Sequence, residues 1–188
     1  MRLIFIGPPG SGKGTQAKLL SQRQGLTHIA TGDILREAKQ KGTPEGRRAA
    51  PYLDTGKLVP DALVNDVVNA RFRGPEGPTG FIMDGYPRNV SQAKAFDRVL
   101  RERGLDLDAV IFLVVDDADI IRRVSARQRE DDKPETVRRR LDVYHASADQ
   151  LLEHYRRQGL VIDVPGEGEI EAIHQKIVEA LKKRKSKP

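Results

Sequence analysis

Residues 7 to 16 read Gly-Pro-Pro-Gly-Ser-Gly-Lys-Gly-Thr-Gln, directly after the apolar run Leu3-Ile4-Phe5-Ile6. A short buried strand that opens into a glycine-rich loop and then a helix can wrap backbone N–H groups around a polyphosphate. Gly7, Gly10, Gly12 and Gly14 let the chain approach phosphates with no Cβ in the way. Lys13 has the reach to meet terminal phosphates, and Thr15 carries a hydroxyl suited to Mg²⁺. The usual loop has Ser or Thr directly after the lysine. Here Gly14 intervenes and Thr15 comes one place later.

Other polar segments fall at the ends of apolar runs. The runs at 2–6, 28–30, 81–84, 109–115 and 160–164 are strand candidates. Helical patterns lie near 13–23, 32–40, 61–72, 91–103, 118–128, 134–157 and 169–184, while 42–46 and 74–80 look like Pro/Gly-rich loops. Strands separated by helices imply right-handed crossovers and a parallel sheet, with ligands bound beyond the carboxyl ends of the strands. Gly7–Thr15, Thr31-Gly32-Asp33, Asp84 to Arg88, Asp116-Asp117 and Gly166-Glu167-Gly168 all stand at such ends. Five connections therefore converge on one edge, as a single cleft requires.

Within that cleft Asp84 can hold, directly or through water, the Mg²⁺ bound by Thr15. Arg88 follows a Gly-Tyr-Pro turn whose proline stiffens the loop and helps to aim a guanidinium at an anion. Arg36 sits on the helix after Thr31 and has the same phosphate reading. Arg123 and Arg127 share a helix face, and Arg129 follows in a polar stretch, Gln128 to Pro134, that could form a small flap. The long helix beyond carries an apolar stripe through Val137, Leu141, Tyr144, Ala148, Leu151, Leu152 and Tyr155. Arg139 lies opposite this stripe and should be solvated, while Arg138 and Arg140 flank it, and periodicity does not choose between those two. The four histidines have no metal-like spacing and read as structural or surface residues.

The chain has 188 residues, 38% hydrophobic and 32% charged, which suits one soluble domain with a core. No apolar run approaches the roughly 18 residues needed to cross a bilayer. The N-terminus runs straight into the phosphate loop, so a cleavable signal would destroy the site, and no membrane attachment is expected. There is no cysteine, which excludes disulfides and thiolate zinc sites and fits a reducing cytoplasm. Of the net charge of +6, five positive charges lie between Leu181 and Pro188. This basic tail, 182–188, reads as a solvated helix end rather than a nucleic-acid contact.

Taken together, Gly7 to Gln16, Thr31-Gly-Asp-Ile-Leu-Arg36, Asp84-Gly-Tyr-Pro-Arg88 with Gln92, and Asp131-Asp132 followed by Glu135 to Leu141 resemble adenylate kinase. The match in order and spacing covers nearly the whole chain except the tail. The resemblance implies an α/β fold of the P-loop nucleoside-triphosphate-hydrolase-like type, three α/β/α layers around a five-stranded parallel sheet. Gly10, Ser11, Gly12, Lys13, Gly14 and Thr15 would then hold ATP phosphates, with Arg123, Arg127 and Gly168 also on the ATP side. Thr31, Arg36, Lys57, Leu58, Val59, Gly85, Tyr86, Pro87, Arg88 and Gln92 would serve AMP. Lys13, Arg88, Arg123, Arg129 and Arg140 would surround the transferring phosphoryl group, with Arg129 and Arg140 also on AMP, and this selects Arg140 over Arg138. Too few residues separate Arg127 from Asp131 for a β-structured lid, so the resemblance is to the short-lid type, without zinc.

The reaction implied is MgATP + AMP ⇌ 2 ADP. Because the AMP phosphate is already an anionic nucleophile, positioning and charge neutralisation suffice and no general base is required. Residues 31–60 are expected to form an AMP-binding flap and 127–134 a short lid, on a core of 1–30, 60–126 and 135–188. The expected protein is a cytoplasmic monomer whose partners are ATP, AMP and ADP, with no nucleic acid. A kinase of another nucleoside monophosphate, such as UMP/CMP kinase, is the nearest alternative; Thr31 and Gln92 favour an adenine edge, where pyrimidine kinases tend to have Ala and an acidic residue. A nucleotide-gated switch is a different class, and it would leave Arg36, Arg88 and Gln92 without purpose.

Overall fold

Apolar runs too short for helices alternate with amphipathic stretches, and the chain folds accordingly into a parallel sheet wrapped by helices. The computed structural model describes residues 1–73, 77–127 and 134–185. In chain order the elements are β1 (Arg2–Ile6), α1 (Lys13–Gln24), β2 (Thr27–Ala30), α2 (Thr31–Gln40), α3 (Pro44–Thr55), α4 (Asp61–Phe72) and β3 (Phe81–Asp84). They continue with α5 (Val90–Glu102), β4 (Ala109–Val114), α6 (Asp117–Arg127), α7 (Pro134–Arg156), β5 (Val161–Pro165) and α8 (Ile170–Lys185). The sheet order is β2-β3-β1-β4-β5, and every pairing is parallel.

Alternate side chains of each strand face opposite layers. Leu3, Phe5, Ile82, Ile111 and Leu113 pack against Ala17 and Leu20 of α1 and Ile173, Ile177 and Leu181 of α8. Ile4, Ile6, Phe81, Met83 and Val110 pack on the other face with Val68, Phe96, Leu152 and Tyr155 from α4, α5 and α7. Both faces are therefore covered, as a sheet of continuous apolar strands demands, and the result is the three-layer α/β/α P-loop arrangement expected. The stripe of α7 is buried as anticipated at Val137, Leu141, Ala148, Leu151, Leu152 and Tyr155.

The sequence pattern left 44–55 without a helix, and the structure places α3 there. Thr43 caps it, its side chain accepting from the Gly46 N–H at 3.1 Å, and Pro44 occupies the first turn. Gly46 and Pro51 weaken the helical pattern of the sequence. Yet Gly46 is there for packing: a Cβ at this position would lie 2.1 Å from the Ala38 carbonyl oxygen of α2. Glycine permits the close crossing of the two helices.

The basic tail also departs from expectation. Helix α8 continues to Lys185, and Arg184 is tethered rather than solvated. Its Nε donates to the Asp108 carbonyl at 2.6 Å and its Nη1 to the Gly159 carbonyl at 2.7 Å. Asp108 is itself a junction, its carboxylate accepting the Arg2 backbone N–H at 2.6 Å and Arg2 Nη2 at 3.2 Å. This cluster ties the amino ends of β1 and β4 to the last turn of α8.

Two outcomes follow for the scaffold. Gly46→Ala should cost about 1–3 kcal/mol through overpacking against α2 and lower the melting temperature accordingly. Partial burial pushes the Asp108 carboxyl up, but the bonds from Arg2 outweigh it, so its pKa lies below the usual carboxylate value. A depressed folded pKa stabilises above the unfolded pKa, about 4, and this stabilisation is lost as pH falls through the folded value. Asp108→Asn should therefore be less stable than the parent at pH 7, with the difference shrinking below about pH 4 in urea titrations.

Candidate functional site

The carboxyl ends of the strands open into one cleft of about 1080 Å³. The crossover connections run to opposite sides from β1, which leads toward β2, and from β4, which leads toward β5, so the cleft sits where open parallel sheets place ligands. Gly7 lies against β4 here; a Cβ on it would stand 2.9 Å from the Leu113 carbonyl oxygen.

The loop from Gly7 to Gly12 enters α1 with no acidic residue in the helix's first turn and no side-chain cap. The orphan N–H groups of that turn, and the positive end of the helix dipole, face the cleft. Gly10 and Gly12 adopt φ of 89° and 91°, and Gly10 also has the tighter surroundings, since a Cβ there would meet Val124 of α6 at 2.5 Å. Lys13 folds over the loop, its Nζ donating to the Gly7 carbonyl at 2.6 Å and the Pro8 carbonyl at 2.7 Å. Ser11 is buried, while Gly14 and Thr15 are exposed at the loop's mouth.

Asp84 ends β3 beside this mouth; a Cβ on Gly14 would lie 3.3 Å from its Oδ2. That spacing gives a physical reason for glycine between the lysine and the threonine. Burial pushes the Asp84 carboxyl up, but neighbouring His28 and the charges of Lys13 and Arg88 bring it below its ordinary value. His28 Nε2 stands 3.6 Å from Asp84 Oδ2. The sequence reading made His28 a structural or surface residue; it lines the cleft. Only the β2–β3 register, which sets Ala30 beside Asp84, brings His28 near that carboxylate, and no spacing in the sequence announces it.

Across the cleft, Arg88 donates from Nε to the Gly85 carbonyl at 2.8 Å. It is open to solvent from the cleft side yet surrounded by protein elsewhere. That enclosure lowers its pKa, Arg140 and Arg36 lower it further, and Asp84 alone opposes them. Three guanidinium groups from different elements therefore face one space. Arg36 is also paired with Asp33, at 2.5 Å. Arg140 comes from α7, whose neighbouring residues touch the end of α3: Arg139 Nη1 donates to the Thr55 carbonyl at 3.1 Å, so Arg139 is exposed but not merely solvated.

Thr31 is buried and donates its hydroxyl to the Gly85 carbonyl at 3.1 Å. Gln92 is buried at the same wall. Lys57, Leu58, Val59, Pro87, Arg123 and Gly168 also line the cleft. The Tyr86 side chain does not. It turns into the core, its hydroxyl donating to Asn65 Oδ1 at 2.7 Å, so any contact from this residue to a cleft ligand is left to its backbone. Burial, with Asp61 and Asp97 nearby, pushes the Tyr86 phenol up, which keeps it a donor. The expectations for the Arg127 side chain, for Arg129 and for the segment between α6 and α7 lie outside the described residues. Among the described residues no group of three or more His, Cys, Asp or Glu is arranged to hold a metal ion.

The family model for adenylate kinase matches residues 5–160 of this chain. Among similar curated proteins is an adenylate kinase of Archaeoglobus fulgidus, 41% identical over 217 aligned positions that cover 99% of this chain and 100% of the relative. One from Rhizobium meliloti is 47% identical, covering 96% and 100%. Another from Nocardia farcinica is 44% identical, covering 96% and 99%.

The loop geometry separates two glycines that look alike in sequence. A residue with a Cβ is strained at either φ, by roughly 1–2 kcal/mol. Only at Gly10 does the added methyl also strike a neighbour, whereas around Gly12 nothing lies within 4 Å. Gly10→Ala should therefore destabilise the fold by about 1–3 kcal/mol more than Gly12→Ala, measured by urea titration.

Proposed function

The chain belongs to the adenylate kinase family, and on that premise we propose that its cleft holds ATP and AMP with their phosphates facing, and transfers the γ-phosphoryl group of ATP directly to AMP to give two ADP. The observation that carries this reading is the convergence of Arg88, Arg140 and Arg36 on one space opposite the glycine loop and Lys13. Like charges crowded in a protein wall are unfavourable unless polyanions occupy the space between them. Two phosphate chains supply that charge, whereas a switch that binds one nucleotide has no use for a second cationic wall. The family assignment likewise favours AMP over the pyrimidine acceptors of UMP/CMP kinases.

In this reading the loop N–H groups, Ser11, Lys13 and the α1 terminus hold the donor's phosphates, and Arg123 and Gly168 flank the rest of the donor. Arg36 and Arg88 hold the acceptor phosphate, and Arg140 spans the gap with Arg88. Thr31 and Gln92 address the acceptor base, while Lys57, Leu58 and Val59 offer backbone and apolar surface beside it. No residue is needed to remove a proton from an acceptor phosphate that is already ionised, so the residues act by alignment and charge neutralisation. The family uses MgATP. The Thr15 hydroxyl and the Asp84 carboxylate, with its lowered pKa, are hard oxygen donors on either side of the loop mouth, and they suit Mg²⁺ bound mainly through phosphate oxygens and water. Bound there, the ion would neutralise charge on the donor phosphates.

We assign the AMP-binding flap to 31–60, which contains α2 and α3, and the short lid to about 127–134. The protein is proposed to act as a cytoplasmic monomer without nucleic acid. Its large exposed hydrophobics among the described residues are Val114, Ile121 and Ile170, and no described helix is long and apolar enough to cross a membrane.

A coupled assay for ADP over AMP, CMP, UMP and GMP tests the acceptor, and AMP should dominate. Lys13→Ala and Arg88→Ala should each reduce turnover by at least roughly a hundredfold with the circular dichroism spectrum unchanged. Near-parental turnover in both variants would sink the assignment.

A further inference from the structure

Gln92 lines the cleft at 1% exposure, and both ends of its side-chain amide are engaged from behind. Nε2 donates to Asp61 Oδ1 at 2.8 Å, and Oε1 accepts the Arg88 backbone N–H at 2.7 Å. The first partner is a carboxylate, which only accepts; the second is an N–H, which only donates. Turning the amide over would set Nε2 against the Arg88 N–H and Oε1 against the carboxylate. Two hydrogen bonds would become two repulsive pairs.

Asp61 is itself fixed. Asn89 Nδ2 donates to Oδ1 at 3.0 Å and to Oδ2 at 3.2 Å. Asn89 cannot turn over freely either, because its Oδ1 accepts the Gln92 backbone N–H at 2.9 Å as the cap of α5. Asp61 stands in the first turn of α4, where the helix dipole favours a carboxylate. Asp61 does not line the cleft; Gln92 does.

We propose that Asp61 is a positioning residue for acceptor specificity: it locks the Gln92 amide in one orientation, and the locked amide tells a 6-amino purine from a 6-oxo purine. An adenine edge offers an acceptor at N1 beside a donor at the 6-amino group. Hypoxanthine offers a donor at N1 beside an acceptor at O6. A glutamine amide free to turn over matches either edge by exchanging its oxygen and nitrogen. Held from behind, it keeps one N–H and one oxygen lone pair in fixed places. The wrong edge then meets donor with donor and acceptor with acceptor, and the buried groups are left unpaired. This inference deepens the assignment of Gln92 to the acceptor base and rests on it.

The test is steady-state kinetics of the full-length protein with AMP and with IMP, which differ only in this edge. The parent should favour AMP strongly. In Asp61→Ala the AMP-to-IMP ratio of kcat/KM should fall at least about tenfold, mainly through a higher KM for AMP, with the KM for ATP unchanged. Asp61→Asn is isosteric and can meet a turned amide with its own N–H, so the ratio should fall there too, by less. This second variant keeps the test decisive should the alanine variant fold poorly. If the variants lose AMP and IMP turnover in equal proportion, the residue is merely structural and the proposal fails. A parent enzyme indifferent between AMP and IMP would instead overturn the assignment of Gln92 beneath it, whatever Asp61 does.

Discussion

Repulsion between cations organises this molecule. Arg88 opens on the cleft and has Arg140 and Arg36 as charged neighbours, with Asp84 as the group that raises its pKa. The two neighbouring cations disfavour the charged guanidinium and Asp84 favours it, and arginine does not give up its proton in a protein. The charges come from separate elements: Arg36 from α2, Arg88 from the turn after β3, Arg140 from α7.

Those strand ends are fixed by close backbone approaches as well as by burial. A Cβ on Gly7 would lie 2.9 Å from the Leu113 carbonyl, and one on Gly166 would lie 2.5 Å from Val115 Cγ2. The loops after β1 and β5 thus press on β4 and its following turn. On the far edge of the sheet, Arg2, Asp108 and Arg184 join three chain segments. The sheet is pinned at its amino ends and crowded at its carboxyl ends, a rigid platform for residues that must face one another over a gap.

Much of this was legible in the residues because it follows from local chemistry. The five strands are apolar runs, the phosphate loop is a glycine pattern, and Arg36 and Arg88 follow strand ends; Arg140, which also lines the cleft, is distinguished from Arg138 by the family resemblance and not by periodicity. What the sequence hid depends on contact between distant segments. Helix α3 was concealed by Gly46, a residue that local propensity disfavours in a helix and that only the crossing with α2 explains. His28 becomes a cleft residue through strand register. Arg184 looked like a charge on a solvated tail and is instead a donor to two loop carbonyls. Tyr86 belongs to a motif whose backbone faces the cleft, but its aromatic ring fills the core beside Phe96, with ring centroids 5.6 Å apart.

The two walls of the acceptor region differ in kind, and the difference has a physical origin. Phosphate recognition tolerates small displacements, because Coulomb attraction falls slowly with distance and is not directional. Reading a base edge does not, because a hydrogen bond weakens steeply as its angle closes. The side chain proposed above to read the base is held by several hydrogen bonds. Gln92 lies in the first turn of α5, where its backbone N–H is capped by Asn89 and its amide is held at both ends. The arginines are drawn from the turn after β3 and from two helices outside that network. On the proposed assignment, the acceptor's phosphate meets groups that tolerate displacement, and its base meets an amide that does not.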